Sequence, residues 1–233
     1  DAFFNELNGS GKEIYINTTC LQTEELVVFT NAKNPAESKY YQVRKMHNGD
    51  HFRKAVLASA CQPVFMTPVK INKNVPGERN PDHQFVDGGV REYAGVEMAI
   101  NAEAKEIFTI LLSAKNAPAN GTEYKSLFPI LEQTIAIFTN DVGKNDLVIP
   151  FQYNEALKYI DAVKNKMKRE GFSADEVNRL FTIRGKESPW EDKIPLKIHI
   201  IQPETPLGGG PGGLEFVQEK KKKMLAKGQV AVD

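Results

Sequence analysis

The sequence predicts an α/β domain whose sheet is at least partly parallel. Segments of strand character alternate with segments in which apolar residues recur at helical spacing, as is typical of α/β proteins. Ile107–Leu112 is an almost wholly apolar run, which favours a strand buried on both faces of a parallel sheet. The chain of 233 residues can bury a real core, and nothing in it demands a second domain. We therefore expect residues 1–233 to belong to a single domain.

The first half of the chain contains most of the predicted strands. Glu13–Asn17 and Leu26–Thr30 are rich in β-branched and aromatic residues, and the polar segment between them predicts a hairpin-like pair. Further strands are predicted at Tyr40–Val43, Pro68–Asn72 and Phe85–Val86, and helices at His51–Ala60 and Val96–Lys105. Lys73–Asp82 carries prolines, a glycine and charges, which indicates an exposed loop.

The second half, about residues 124–233, is predicted to be mostly helical. Apolar residues at helical spacing predict helices over Leu127–Phe138 and Tyr153–Met167, with Gly171 ending the second one. Ser173 and Glu176 form a capping-box pattern that begins a further short helix. A strand at Leu196–Ile201 and a closing helix at Leu214–Ala226, ended by Gly228, complete the expected elements.

Composition excludes several classes of function. Thirty basic residues balance thirty acidic ones, so no net field favours nucleic acid, and we expect no nucleic-acid partner. The two cysteines and four histidines show no metal-ligand spacing, so we expect no metal site. Two sparse thiols suit a reducing compartment, which favours a cytoplasmic location. No apolar run reaches the ~18–20 residues needed to cross a bilayer.

Asp87 follows the predicted strand Phe85–Val86 and precedes Gly88 and Gly89. Taken alone, an Asp-Gly dipeptide after a strand is one of the commonest turn signals. The wider sequence gives it another interpretation. Leu57–Pro68 (LASACQPVFMTP), followed by Phe85–Val90 (FVDGGV), resembles the patatin-like phospholipase family, which pairs a helix-and-turn motif with a downstream F-x-D-G-G/A motif.

The resemblance has limited extent but consistent order. Ile14–Phe29 is also similar to the strand–turn–strand that precedes these motifs in the family, and the spacing matches over roughly Ile14–Ala114. It implies a three-layer α/β/α sandwich with a mixed or mostly parallel sheet. It also implies hydrolysis of phospholipid, lysophospholipid or neutral-lipid esters by a Ser–Asp dyad, without an organic cofactor or calcium. By this resemblance Asp87 is the base, and Gly88 and Gly89 support its geometry.

The family's nucleophile lies in a G-x-S-x-G turn upstream of these motifs. None of the seven serines of this chain has glycine on both sides at that spacing, so no nucleophile is assigned here. Asn8–Lys12 superficially resembles the turn but leads into a strand, and Ser59 belongs to the helix motif, where a packing role is favoured. The chain also lacks an initiator Met. We therefore expect the C-terminal portion of a longer domain, inactive alone, for which the N-terminal segment would be a partner.

Two other interpretations stay open. The chain could be a non-catalytic relative that binds lipid or protein, or Asp87 could be an exposed turn residue of an unrelated α/β protein. Peripheral membrane contact is a further hypothesis, since Lys220–Lys223 could touch anionic head groups and Trp190 could lie at an interface. A solvated helix face and a core-capping Trp are the simpler interpretations of these two features. Gly208–Gly213 is interpreted as a plain loop.

Overall fold

The computed structural model describes residues 1–73, 82–116, 121, 123–183, 194–208 and 217–232. The strands are β1 (Tyr15–Cys20), β2 (Leu26–Thr30), β3 (Gln42–Lys45), β4 (Val69–Asn72), β5 (Asp82–Asp87), β6 (Glu106–Ile110) and β7 (Lys197–Ile201). The helices are α1 (Ala2–Gly9), α2 (Gly49–Ser59), α3 (Val96–Asn101), α4 (Leu127–Arg169), α5 (Ala174–Phe181) and α6 (Gln218–Val232), and a 3-10 turn spans Gly88–Val90. The predicted α/β class is confirmed.

The main sheet has five strands in the order β3-β2-β1-β5-β4. β1 and β2 form the predicted antiparallel hairpin, β5 pairs antiparallel with β1 and β4, and β2 pairs in parallel with β3. Of the two forms that the sequence left open, mixed or mostly parallel, this sheet has the mixed one. The physical reason is that short turns connect β1 to β2, and only antiparallel neighbours can be joined in that way.

Two apolar clusters on opposite faces hold this sheet between helices. Val27 and Phe29 of β2 point to one face, where they pack with Phe4 of α1 and Ala55 of α2. The alternate residues of the same strand point to the other face and pack with Met98 of α3. Helices therefore cover both faces, which gives the three α/β/α layers that the family resemblance implied.

The second sheet contains only β6 and β7, paired in parallel. The prediction of a parallel strand in Ile107–Leu112 is right, but burial on both faces is wrong. Phe108, Ile110 and Leu112 are 63%, 68% and 67% exposed, whereas Ile107 and Leu111 on the opposite side are buried. A two-stranded sheet covered on one side buries every second residue only.

The helical second half differs from the prediction mainly in its boundaries. The two helices predicted at Leu127–Phe138 and Tyr153–Met167 are parts of the single helix α4, which contains Pro150. The capping box of Ser173 and Glu176 is present at the start of α5. α6 continues past Gly228 to Val232, so that predicted end is wrong, and residues 214–216 of the predicted closing helix lie outside the described residues.

Several predictions fall wholly or partly outside the described residues. They are Trp190, most of the loop predicted over Lys73–Asp82 and, beyond Gly208, the glycine run. In the parts of the chain that the structure covers, no helix is long and apolar enough to cross a membrane.

Candidate functional site

An open pocket of about 620 Å³ lies beside the end of β5. Asp87 is in its wall, together with Asn17 of β1, Ser59 at the end of α2 and Leu112 just after β6. The pocket is therefore lined by residues of the five-stranded sheet, of a helix that packs on one face of that sheet, and of the second sheet. Its surface is mostly apolar, and Asp87 and Glu92 are the acidic residues that line it.

The backbone of Asp87 is fixed from two sides. It is the last residue of β5 and lies opposite Thr18 in the antiparallel pairing with β1. Its amide donates a hydrogen bond to the carbonyl of Cys61, with an N–O distance of 2.9 Å. The preceding residues, Phe85 and Val86, are buried and anchor the strand in the core. The carboxylate is thus held at a defined strand end, as a catalytic acid–base group requires.

The Asp-Gly-Gly segment is a turn as well as a candidate site. The Oδ1 atom of Asp87 accepts a hydrogen bond of 2.8 Å from the amide of Gly89. This hydrogen bond caps the start of the 3-10 turn Gly88–Val90. A Cβ atom on Gly88 would lie 2.5 Å from the backbone carbonyl of Asn17, closer than atoms can approach. Gly88 therefore allows the turn to cross directly over β1. The interpretation of Asp87 as an exposed turn residue facing no pocket does not fit, because the residue is partly buried and lines the pocket.

Burial sets the proton affinity of this carboxyl group. Desolvation raises the pKa of Asp87 above its ordinary value, and the hydrogen bond from Gly89 partly offsets the rise. The pKa of the Cys61 thiol is also raised, first by burial and then by the charge of Asp87. A carboxylate with a raised pKa accepts a proton more readily near neutral pH. The arrangement can therefore take a proton from a hydroxyl group or water in the pocket.

Two more acids lie next to this turn, and the sequence analysis did not identify either of them. Burial, followed by the charges of Asp146 and Glu97, raises the pKa of Glu92 to about 7. Asp146 of α4 accepts hydrogen bonds from the amides of Tyr93 and Ala94, at 2.5 and 3.2 Å. Desolvation also raises the pKa of Asp146. Glu92 could have been noticed from its closeness to Asp87 in sequence, but no local signal connects Asp146 with residues 93 and 94.

The structure shows the surroundings of three of the serines, Ser10, Ser59 and Ser173. Ser10 lies in a turn at the end of α1, where its hydroxyl donates to the carbonyl of Leu7. Ser59, at the end of α2, lines the pocket and is partly buried. Ser173 caps α5. Ser188 lies outside the described residues.

The structure places the lysine run of α6 away from any binding pocket described above. Lys220–Lys223 are exposed along α6, a helix with no buried residue. Across the described residues, no group of three or more His, Cys, Asp or Glu side chains is arranged to hold a metal ion.

One family model matches the part of the chain that contributes most of the pocket. Residues 3–100 match the family model for patatin-like phospholipase. The match confirms the resemblance seen in the sequence and includes Asp87, Gly88 and Gly89, whereas β6, β7 and α4 lie beyond it. No curated protein matched the chain.

Proposed function

We propose that this protein is a lipid acyl hydrolase of the patatin-like type, in which Asp87 is the base of a Ser–Asp dyad. The match of residues 3–100 to a family of lipid acyl hydrolases supports the reaction class. The observation that carries the assignment of Asp87 is its position: a partly buried carboxylate with a raised pKa, fixed at the end of β5 in the wall of a pocket.

The proposed reaction uses this carboxylate twice. Asp87 takes the proton of a serine hydroxyl as that oxygen attacks the ester carbonyl, and it gives this proton to the alcohol oxygen as the alcohol part of the lipid leaves. Asp87 then takes a proton from water as the water attacks the acyl-enzyme, and it returns this proton to the serine oxygen as the fatty acid leaves. The pocket has an apolar surface that suits the acyl part of a lipid ester, to which Ile16, Val56, Ile110 and Leu112 contribute. No organic cofactor takes part in this scheme.

The serine itself is proposed to come from a segment that precedes this chain in a longer protein. The basis is the sequence: no serine of this chain lies in G-x-S-x-G, the turn that exposes the nucleophile in enzymes of this type. On this proposal the chain alone does not hydrolyse esters, and the preceding segment completes the site. A cytoplasmic location, with at most peripheral membrane contact, stays a prediction.

The decisive experiment compares Asp87→Asn with wild type in a longer protein that contains the serine segment. Release of p-nitrophenol from a short-chain ester should fall by at least about 100-fold, the usual contribution of a general base. Asp82→Asn is the matched control, because Asp82 is an exposed residue at the other end of the same strand. Equal activity of wild type and Asp87→Asn would show that Asp87 is not the base.

A second experiment tests whether the chain contains its own nucleophile. Ser59 is the relevant candidate because it lies in the same pocket as Asp87. A fluorophosphonate probe, which labels activated serines, should leave the chain unlabelled. Labelling that disappears in Ser59→Ala would contradict the proposal of an external serine.

A non-catalytic lipid-binding relative is the second candidate function. The observation in its favour is that the apolar pocket is present although the chain lacks G-x-S-x-G. In that case the chain binds a fluorescent fatty acid, Asp87→Asn binds it equally well, and the longer protein shows no esterase activity. Ester hydrolysis that depends on Asp87 would exclude it.

A further inference from the structure

The loop between Asp87 and α3 forms one side of the pocket. Gly89, Glu92, Tyr93, Ala94 and Gly95 all line it. The 3-10 turn gives the start of this loop its own hydrogen bonds, since the amides of residues 91 and 92 both donate to the carbonyl of Gly88. The following residues up to α3 need partners from elsewhere, because a buried amide without an acceptor is costly.

Helix α4 covers this loop with three residues that share one face of the helix. Thr139, Gly143 and Asp146 are spaced by four and three positions, so they lie on the same side. A Cβ atom on Gly143 would be 2.9 Å from the ring of Tyr93, which shows how closely the helix approaches the loop. Thr139 is close to the start of the loop, since its methyl group is 3.7 Å from where a Cβ atom of Gly89 would be.

Asp146 satisfies two consecutive amides of the loop. Its Oδ2 atom accepts hydrogen bonds from the amides of Tyr93 and Ala94. Glu92 is only 9% exposed, and the nearby amides of Gly95 and Val96 partly offset the rise in the pKa of its carboxyl group. Hydrogen bonds from amides to carboxylates are stronger than those between neutral groups, so Asp146 holds the backbone of residues 93 and 94. Of these two acids, only Asp146 belongs to another element of the fold.

We propose that Asp146 is a positioning residue that fixes the loop after Asp87 and, through Tyr93, the surroundings of the Asp87 carboxylate. Tyr93 and Asp87 both lie against Gly89: a Cβ atom built there would be 3.5 Å from the ring of Tyr93 and 3.1 Å from Oδ1 of Asp87. The pKa of Tyr93 is raised first by burial and then by the charge of Asp87, which shows that the two side chains are close. The proposal deepens the proposed function, on which the catalytic meaning of Asp87 rests. It also gives α4, which lies beyond the family match, a role at the site.

The test compares three variants of the full chain. Asp146→Ala removes the oxygen that accepts both hydrogen bonds, and Asp146→Asn removes the charge but keeps one acceptor oxygen. Asp141→Ala changes an exposed aspartate of the same helix. Circular dichroism and thermal unfolding select variants that keep the fold. Hydrogen exchange of the Tyr93 and Ala94 amides and the titration of the Asp87 carboxyl carbon, both by NMR, are then compared.

Asp146→Ala should raise the exchange rates of the Tyr93 and Ala94 amides by at least about tenfold, the effect of losing one hydrogen bond. It should also move the pKa of Asp87 down towards its ordinary value, because a loosened loop hydrates the carboxylate. Asp146→Asn should show a smaller change in both measurements, and Asp141→Ala none. Unchanged exchange and unchanged titration in a folded Asp146→Ala chain would overturn the proposal.

Activity in the longer protein provides a separate measurement. If Asp87 is the base, Asp146→Ala should lower kcat about tenfold and leave KM near its wild-type value, since the contact acts on the reacting group rather than on substrate binding. An undiminished kcat in that variant would overturn the positioning role. Loss of the proposed function would look different: Asp87→Asn would match wild type, while exchange at residues 93 and 94 would still respond to Asp146→Ala.

Discussion

The two halves of the chain are stabilised in different ways. In the first, the five-stranded sheet buries β2 completely and packs apolar residues against helices on both faces. In the second half, taken together with β6, the strands β6 and β7 form a two-stranded sheet, and long stretches of α4 are exposed. A few polar contacts, such as those of Asp146 and Asn154, fix this half. The comparison shows that α4 holds the loop beside the pocket through polar contacts, although only a few of its residues are buried.

The largest expected effect separates a buried phenylalanine from an exposed one. Phe85 of β5 is 0% exposed, whereas Phe108 of β6 is 63% exposed. Phe85→Ala should reduce the free energy of unfolding by about 3–5 kcal/mol, because it leaves a cavity in the packed core. Phe108→Ala should cost less than about 1 kcal/mol. Urea unfolding followed by circular dichroism measures both, and equal losses would remove the distinction between the halves.

Gly88→Ala tests the close crossing of the turn over β1. The added methyl group meets the Asn17 backbone at 2.5 Å, and neither segment can move without disturbing strand pairing. We expect a loss of roughly 1–3 kcal/mol in unfolding free energy. Gly9→Ala is the control, since a Cβ atom there meets no atom within 4 Å. A Gly88→Ala chain as stable as wild type would contradict the crowding described here.

Asn154→Ala examines a polar contact that holds the second half together. The buried side chain of Asn154 donates to the carbonyl of Leu196 at 2.7 Å and accepts from its amide at 2.6 Å. Removing it leaves the backbone before β7 without partners, for a loss of about 1–2 kcal/mol. Asn145→Ala, at an exposed position of the same helix, should have almost no effect. If thermal unfolding gives the two variants the same midpoint, this contact does not fix β7.

The smallest expected effect concerns pH and Glu92. Its pKa is raised from 4.5 to about 7 in the folded state, so between these values the folded chain holds a proton that the unfolded chain has lost. Glu92 therefore makes stability fall as the pH rises through this window and contributes no further change above it. Glu92→Gln should remove a decrease of at least about 1 kcal/mol, which is the linkage value of a shift of about one pKa unit.

Denaturant unfolding at a series of pH values between about 4.5 and about 8 would detect this change in slope. Asp87 and Asp146 also have raised pKa values, so a weaker slope of the same sign should remain in the variant. Glu155→Gln, on the exposed side of α4, serves as the control. If the dependence of unfolding free energy on pH is the same in Glu92→Gln as in wild type, the pKa of Glu92 is not raised in the folded chain.

The sequence predicted the elements of the first half well, because their signals are local. The hairpin of β1 and β2, helix α2 and the strand ending at Asp87 follow from alternation, helical spacing and the Asp-Gly-Gly turn. It failed on Ile107–Leu112, where an apolar run indicated burial on both faces and the structure exposes Ile110 and Leu112. An apolar run states what a strand could bury, but its neighbours decide what is buried.

The candidate site likewise has features that the sequence predicted and features that only the structure shows. Asp87 could be selected from its position in the sequence, and its family resemblance is supported by the match over residues 3–100. The partial burial of its carboxylate, the pocket beside it and the approach of Asp146 arise only from the packing of distant segments. Turn signals and periodicity are properties of neighbouring residues in the sequence. Desolvation and the hydrogen bond between residues 93 and 146 depend on how helices and sheets lie against one another.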